Sequence, residues 1–312
     1  MTSATSSATS TSPDMPAASR YSVADHAYMA RALQLAANGL YTTSPNPRVG
    51  CVVVKDGRVV GAGWHQRAGT PHAEIHALKA AGESARGATV YVTLEPCSHH
   101  GRTPPCAEAL IQAGVARVVA AMRDPNPLVA GGGIDMLTLA GIEAATGLME
   151  AEAQALNPGF VSRMTRQRPW VRLKTAATLD GKTALANGAS QWITGEAARA
   201  DVQKLRARAC AVLTGSGTVI ADNPRMNVRD IDIDRQPLRV VVDSSLRTPA
   251  DAAILPALIA CHHAAPAVRA GLEQAGAEVI ELPGTDGRVD LAALLRLLAQ
   301  RGVNELHVEA GA

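Results

Sequence analysis

Apolar residues return at helical spacing along residues 22–38, with Met29, Leu33 and Ala36 on one face. Ser22-Val-Ala-Asp25 has the form of a capping box ahead of that helix, and Gly39 closes it. Val49 to Lys55 and Arg58 to Trp64 are two β-rich runs flanking Asp56-Gly57, a dipeptide suited to a tight hairpin turn. Thr70-Pro71 fits the N-cap and first position of a helix starting near His72. Ala88 to Leu94 has the pattern of a buried strand, and a loop rich in Pro, Ser, His and Gly follows to Pro105. Cys106 to Ala113 predicts a short helix, Ala116 to Met122 a strand, and Leu137 to Thr146 a further helix–strand unit. Helices alternating with strands imply an α/β sandwich on a mixed sheet over residues 21–147.

Residues 148–169 are helical in pattern and then basic, at Arg163 to Arg168, which marks a linker. Alternation resumes over 170–312. Strands are expected at Val171–Ala177, Ala211–Thr214, Arg239–Asp243 and Glu305–Glu309, with helices at Glu196–Arg208 and Val289–Gln300. Residues 1–20 are rich in Ser, Thr, Ala and Pro and contain no apolar stretch of the kind a secretory signal needs, so they read as a disordered tail.

Composition narrows the function classes. The chain has 312 residues, enough for about two domains. Its 30 Lys and Arg against 28 Asp and Glu leave a formal charge of +2, too balanced for a nucleic-acid footprint. Three Trp, four Tyr and one Phe are too few for a base-stacking platform. No apolar run reaches a membrane span. Five sparse cysteines argue against a disulfide framework and for a reducing compartment, here the cytoplasm. These numbers favour a small-molecule substrate, with no nucleic acid and no membrane as partner.

The chemistry concentrates in His72-Ala-Glu74 and in Pro96-Cys97 with Cys106 nine positions on. One imidazole and two thiolates supply the three protein ligands of a catalytic zinc ion and leave a fourth position for water, whose pKa falls to about 7. Glu74, two residues past His72, then serves as the general acid/base of a deamination rather than as a ligand. A structural zinc site is the competing reading. It would recruit a fourth His or Cys, and His76, His99, His100 and Cys51 lie nearby in sequence. A deaminase acting on another base or nucleoside, with a binding-only second half, also fits these residues alone.

The sequence resembles the bifunctional deaminase–reductase family of riboflavin biosynthesis, known as RibD or RibG. The resemblance is carried by Thr43 to Gly50 (TSPNPRVG), His72 to His76 (HAEIH) and Thr93 to Cys106 (TLEPCSHHGRTPPC), and continues in Leu173 to Gly181, Ser190 to Thr194, Gly217 to Pro224 and Val242 to Ser244. It implies a cytidine-deaminase-like α/β/α sandwich followed by a dihydrofolate-reductase-like α/β domain. It also implies Zn2+ in the first and NADPH in the second. The implied substrate is a phosphorylated pyrimidine, 2,5-diamino-6-ribosylamino-4(3H)-pyrimidinone 5′-phosphate, deaminated and then reduced from ribosyl to ribityl.

By motif match, Asn46, His65 and Arg102 would contact the deaminase substrate. Lys174, Ser190, Arg206, Met226, Arg229 and Glu309 would contact the reductase substrate, and Ala176, Trp192, Thr218, Asp222 and Ser244 would line the NADPH site. From the residues alone, Gly215-Ser-Gly217 is a weak phosphate-approach signal, because position 220 is Ile where the dinucleotide fingerprint needs Gly. The sequence stops at Ala312 inside a motif that the family continues into a glycine-containing loop, a helix and further strands. On that ground deamination is expected to survive in this polypeptide and NADPH binding to be weak. The resemblance leaves room for a homo-oligomer formed through the second halves.

Overall fold

A computed structural model describes residues 20–99, 104–127, 129–190 and 192–310. The tail expected over residues 1–20 lies outside them except for Arg20.

The first sheet has the order β2-β1-β3-β4-β5. The hairpin of β1 (Gly50–Lys55) and β2 (Arg58–Trp64) turns at Asp56-Gly57, both at positive φ. β1 also pairs antiparallel with β3 (Thr89–Val92), whereas β3, β4 (Arg117–Ala120) and β5 (Glu143–Thr146) run parallel, so the sheet is mixed as expected. On one face lies α1 (Val23–Ala37), whose N-cap Ser22 makes the capping box with Asp25. The other face carries α2 (Ala73–Ala81), α3 (Cys106–Ala113) and α4 (Gly132–Leu139). α2 seats directly on β2 because Gly61 and Gly63 carry no side chain. A Cβ on Gly61 would stand 2.2 Å from the Ala77 carbonyl oxygen, and one on Gly63 would stand 2.5 Å from His76 Cβ.

Residues 148–169 are helical, as their pattern predicts. They form α5 (Glu150–Leu156) and α6 (Pro158–Arg166), and Leu148, Ala153 and Phe160 are buried in the same core as the first sheet. The apolar positions there are anchors and the basic residues a rim, which explains why composition alone suggested a boundary.

The second sheet is parallel throughout, in the order β10-β9-β8-β7-β11-β6. Its strands are β6 (Trp170–Lys174), β7 (Ala211–Gly215), β8 (Leu238–Val242), β9 (Leu258–Cys261), β10 (Glu278–Glu281) and β11 (Glu305–Glu309). α7 (Glu196–Arg208), α8 (Ser216–Asp222), α9 (Pro266–Gln274) and α10 (Leu291–Gln300) connect them. Alternate residues feed two separate cores: Val241 and Ile259 join Val219 and Leu272, while Val240 and Leu258 join Leu294 and Leu298. β6 stops at Lys174, three residues earlier than its β-pattern suggests, where its pairing with β11 ends at Glu309. α10 begins at Leu291 rather than Val289, because Asp290 caps it by accepting from the Ala293 N–H, and Val289 bridges to Pro283.

Candidate active sites at the two sheets

His72 is itself the N-cap of α2, in extended backbone (φ −72°, ψ 166°). The helix therefore starts at Ala73, close to the start expected near His72, but it is not capped by Thr70, whose hydroxyl instead donates to the Arg67 carbonyl within a turn. Cys97 follows β3 in the loop, and Cys106 opens α3 with its backbone N–H donating to Cys97 Sγ at 3.2 Å. His72 Nδ1 stands 3.2 Å from Cys106 Sγ and 3.7 Å from Cys97 Sγ. Tetrahedral zinc with ordinary Zn–N and Zn–S lengths would hold such atoms about 3.6 Å apart, so the triad fits the ion. Among the described residues these three are the one cluster of His, Cys, Asp or Glu close enough to share a metal. Neither Cys51 nor His76 joins it. His99 stays outside as well, and His100 lies outside the described residues. A fourth protein ligand is therefore not supplied by the described residues.

Glu74 stands in the first turn of α2, 3% exposed, and its Oε2 finds no hydrogen-bond partner among the described residues. Burial raises the Glu74 carboxyl above the ordinary carboxylate range. A buried carboxyl so raised, with one oxygen uncommitted beside the His72, Cys97 and Cys106 cluster, is suited to take up and return a proton. The Cys97 thiol is lowered to about 4, chiefly by its hydrogen bond with Cys106 and further by His72, while the same contact pushes Cys106 up. Hydrogen bonding to Cys97 in turn raises His72.

Asn46 and His65 meet beside this centre. His65 Nδ1 lies 3.2 Å from the Pro71 carbonyl oxygen, and Asn46 Nδ2 lies 3.1 Å from His65 Nε2. Burial lowers the His65 pKa, which favours the neutral ring. Nδ1–H then donates to Pro71 and Nε2 accepts from Asn46, which fixes the Asn46 amide. The His65 ring meets His72 edge-on, with centroids 5.4 Å apart. Arg102 lies outside the described residues.

Sequence reasoning assigned no role to Glu95, inside the TLEPC run. Its buried carboxylate accepts four backbone N–H groups: Gly133 and Ile134 on Oε1 at 3.0 and 3.2 Å, and Gly131 and Asp124 on Oε2 at 3.0 and 3.1 Å. This clamp ties the Cys97 loop to the start of α4, where a Cβ on Gly133 would stand 1.9 Å from the Pro96 carbonyl oxygen. Asp124, also in the clamp, is pushed up to about 6 by burial. The one signal available beforehand was a charged residue set between Leu94 and Pro96 at a buried strand's end.

In the second sheet the strand order reverses between β7 and β11, and the carboxyl ends of β6, β7, β8 and β11 open there, the place where parallel sheets bind ligands. Arg206 Nε and Nη2 donate to Glu309 at 2.5 and 2.9 Å, and Arg206 Nη2 reaches Met226 Sδ at 3.6 Å. Lys174 is the register partner of Glu309. The Arg229 N–H donates to Gln203, one turn before Arg206 on α7. Lys174, Arg206, Met226, Arg229 and Glu309 thus gather at one edge.

The residues that the resemblance assigns to the cofactor side are more dispersed. Ser244 follows β8 and accepts from the Val289 N–H, Thr218 and Asp222 lie on α8, and Ala176 follows β6. Ser190 and Trp192 lie on an exposed segment, where Trp192 stacks on Arg199 at 4.5 Å; no hydrogen bond joins them to the Arg206 cluster among the described residues. Gly215 caps α8 and Gly217 lies within it, so the pair forms a helix start rather than a free phosphate loop. Thr214 Oγ1 and Asp243 Oδ1, at the ends of β7 and β8, are buried without partners among the described residues. Such uncommitted oxygens fit a polar cofactor bound along this edge.

Two family models match the chain: the cytidine and deoxycytidylate deaminase zinc-binding region over residues 22–122, and the RibD C-terminal domain over residues 169–312. The riboflavin biosynthesis protein RibD of Escherichia coli is 51% identical over 305 aligned residues, covering 92% of this chain and 82% of that protein. Among solved structures, RibD of Acinetobacter baumannii (form 1) superposes with a TM-score of 0.85 at 48% identity, over 93% of this chain and 81% of that one. A diaminohydroxyphosphoribosylaminopyrimidine deaminase/5-amino-6-(5-phosphoribosylamino)uracil reductase from Thermotoga maritima gives 0.81 at 37% identity, with the same coverage. An α/β/α sandwich bearing the His-Cys-Cys centre, joined to a parallel-sheet reductase domain, together with these matches, shows that the chain belongs to the RibD family of riboflavin biosynthesis proteins.

Proposed function

We propose that His72, Cys97 and Cys106 hold the catalytic zinc and that Glu74 moves the protons of the deamination. The enzyme acts in riboflavin biosynthesis. It hydrolyses the 2-amino group of 2,5-diamino-6-ribosylamino-4(3H)-pyrimidinone 5′-phosphate to ammonia, then reduces 5-amino-6-(5-phosphoribosylamino)uracil to the ribitylamino product with NADPH. The observation that carries the deaminase assignment is the uncommitted, buried oxygen of Glu74 beside a three-ligand centre.

When bound, zinc supplies Lewis acidity at neutral pH. Glu74 passes one proton of the attacking water to the ring nitrogen and the second, from the new hydroxyl, to the departing amine, so that amine and water become carbonyl and ammonia. His65 stays neutral and holds Asn46 against the pyrimidine. In the second half, NADPH when bound supplies the reducing equivalents. The Arg206–Glu309 pair, with Lys174 and Arg229, offers a cationic edge for the ribose phosphate. Ala176, Trp192, Thr218, Asp222 and Ser244 are assigned to the cofactor side. No helix among the described residues is long and apolar enough to cross a membrane. The five free cysteines fit a reducing cytoplasm.

Ammonia release assayed on the diaminopyrimidine phosphate and on cytidine tests this reading. Turnover of the first and none of the second is expected; the reverse would reassign the substrate.

A further inference from the structure

Asn46 sits between Pro45 and Pro47, a segment with few N–H groups, and its own N–H closes a turn by donating to the Thr43 carbonyl at 2.8 Å. Beyond that turn it is held from outside, by α6 and its start at Asn157 and by the second sheet. The Pro45 carbonyl accepts from Asn304 Nδ2 at 2.9 Å and from Arg163 Nη2 at 3.2 Å. Asn304 Oδ1 accepts in turn from Arg163 Nε at 2.6 Å, so the two donors brace one another. The Cys210 thiol donates to Ser44 Oγ at 3.3 Å. On the other side of Asn46, the Arg48 N–H and carbonyl exchange hydrogen bonds with the Asn157 amide at 2.8 and 2.9 Å, and Arg48 Nη1 donates to Glu305 Oε1 at 2.8 Å. Asn304 and Glu305 stand at the start of β11, and Cys210 just before β7.

The geometry points to Asn304 and Arg163 as positioning residues for deamination: the residue that opens onto β11 and its brace on α6 together set the backbone that presents Asn46 to the pyrimidine. This rests on the reading of Asn46 as a substrate contact. A misplacement near 1 Å in a substrate-orienting group costs up to about a hundredfold in efficiency, and two side-chain donors on one carbonyl are the restraint that prevents it here.

Asn304→Asp tests this with little change of shape. It keeps the oxygen that accepts from Arg163 and turns the donor facing the Pro45 carbonyl into a second acceptor. Arg163→Met removes the other donor while keeping an unbranched stem near Phe160. In the full chain, ammonia-release kinetics, zinc content and amide exchange over residues 42–50 are measured together. The expected result is a KM for the diaminopyrimidine phosphate raised between about tenfold and a hundredfold, with kcat little changed, zinc retained, and faster exchange over residues 42–50. Wild-type KM and exchange in both variants would overturn the inference. So would a fall in Tm with KM unaltered, which would make the contacts a stability interface only. Were wild type to release no ammonia, the functional reading would fall, and the exchange measurement would still decide whether the two residues hold the segment.

Discussion

Glu95→Gln isolates the clamp that carries Cys97. The four N–H groups on the native carboxylate divide two and two between its oxygens, so the amide keeps one pair and turns its own NH2 toward the other. Hydrogen bonds to a charged acceptor contribute about 1.5–3 kcal/mol each, which puts the loss of two at about 3–6 kcal/mol. Gly131 and Asp124 are only half-buried and regain water, whereas Gly133 is buried. The amide will therefore turn its NH2 to the outer pair, and the cost will fall near about 3 kcal/mol. Because the clamp sets where Cys97 stands, zinc affinity is expected to drop about tenfold to a hundredfold, as for other groups that orient metal ligands. Urea unfolding with zinc in excess reads the first quantity, and competition with a chromophoric chelator at low denaturant reads the second. A stability loss under about 1 kcal/mol with unchanged zinc affinity would refute the clamp as the device that places the ligand.

Glu74→Gln should keep its zinc by elemental analysis yet lose about 10²–10⁴-fold in ammonia release, because the amide takes up no proton; loss of the metal as well would make Glu74 a ligand. Gly133→Ala must push a methyl against the Pro96 carbonyl, and is expected to destabilise the first half by about 1–3 kcal/mol in the same urea titration. Glu309 is pushed up by burial, but the His307 ring 3.4 Å away and the hydrogen bonds from Arg206 more than offset this and hold it at about 2, below its ordinary 4.5. Its stabilising contribution is therefore complete above pH 4.5 and is lost as the pH falls toward 2, a change of about 3 kcal/mol that acid unfolding should show and Glu309→Gln should flatten.

Elements announced by local chemistry were legible. The Asp56-Gly57 turn, the capping box at Ser22 and the bounds of the Cys106–Ala113 helix follow from residues a few positions apart. β9, α9 and β10 were not, because Leu258–Cys261 and the stretch around Pro266–Gln274 are rich in small apolar residues that give no contrast between a buried and an exposed face. α8 hid behind its glycines, which suggested a loop. In the site, the cluster of His72, Cys97 and Cys106 with the buried Glu74 was legible because zinc deamination, the chemistry proposed for it, demands residue types that seldom coincide. Glu95 and Asn304 act on backbone groups 36 and 259 positions away, and nothing in their immediate sequence names those partners.

β11 shows how pattern misleads when a polar face is turned inward. Glu305-Leu-His-Val-Glu309 alternates like a strand with one face in water. Leu306 and Val308 do pack toward the core under α10. Yet Glu305, His307 and Glu309, on the opposite face, are 1%, 0% and 9% exposed, so that face is buried as well. Arg48, Arg172 and Arg208 surround Glu305 at one end of the strand, and Arg206 holds Glu309 at the other. Replacing such a stripe by apolar side chains would cost little stability or even add to it, so stability alone does not account for the charges. They join two tasks on one strand. Its first residues hold the loop that presents Asn46, and its last sets the Glu309 carboxylate against Arg206, about 13 Å further along at the rise of a parallel strand. A strand that serves both halves gives a physical reason for the two activities to share a polypeptide.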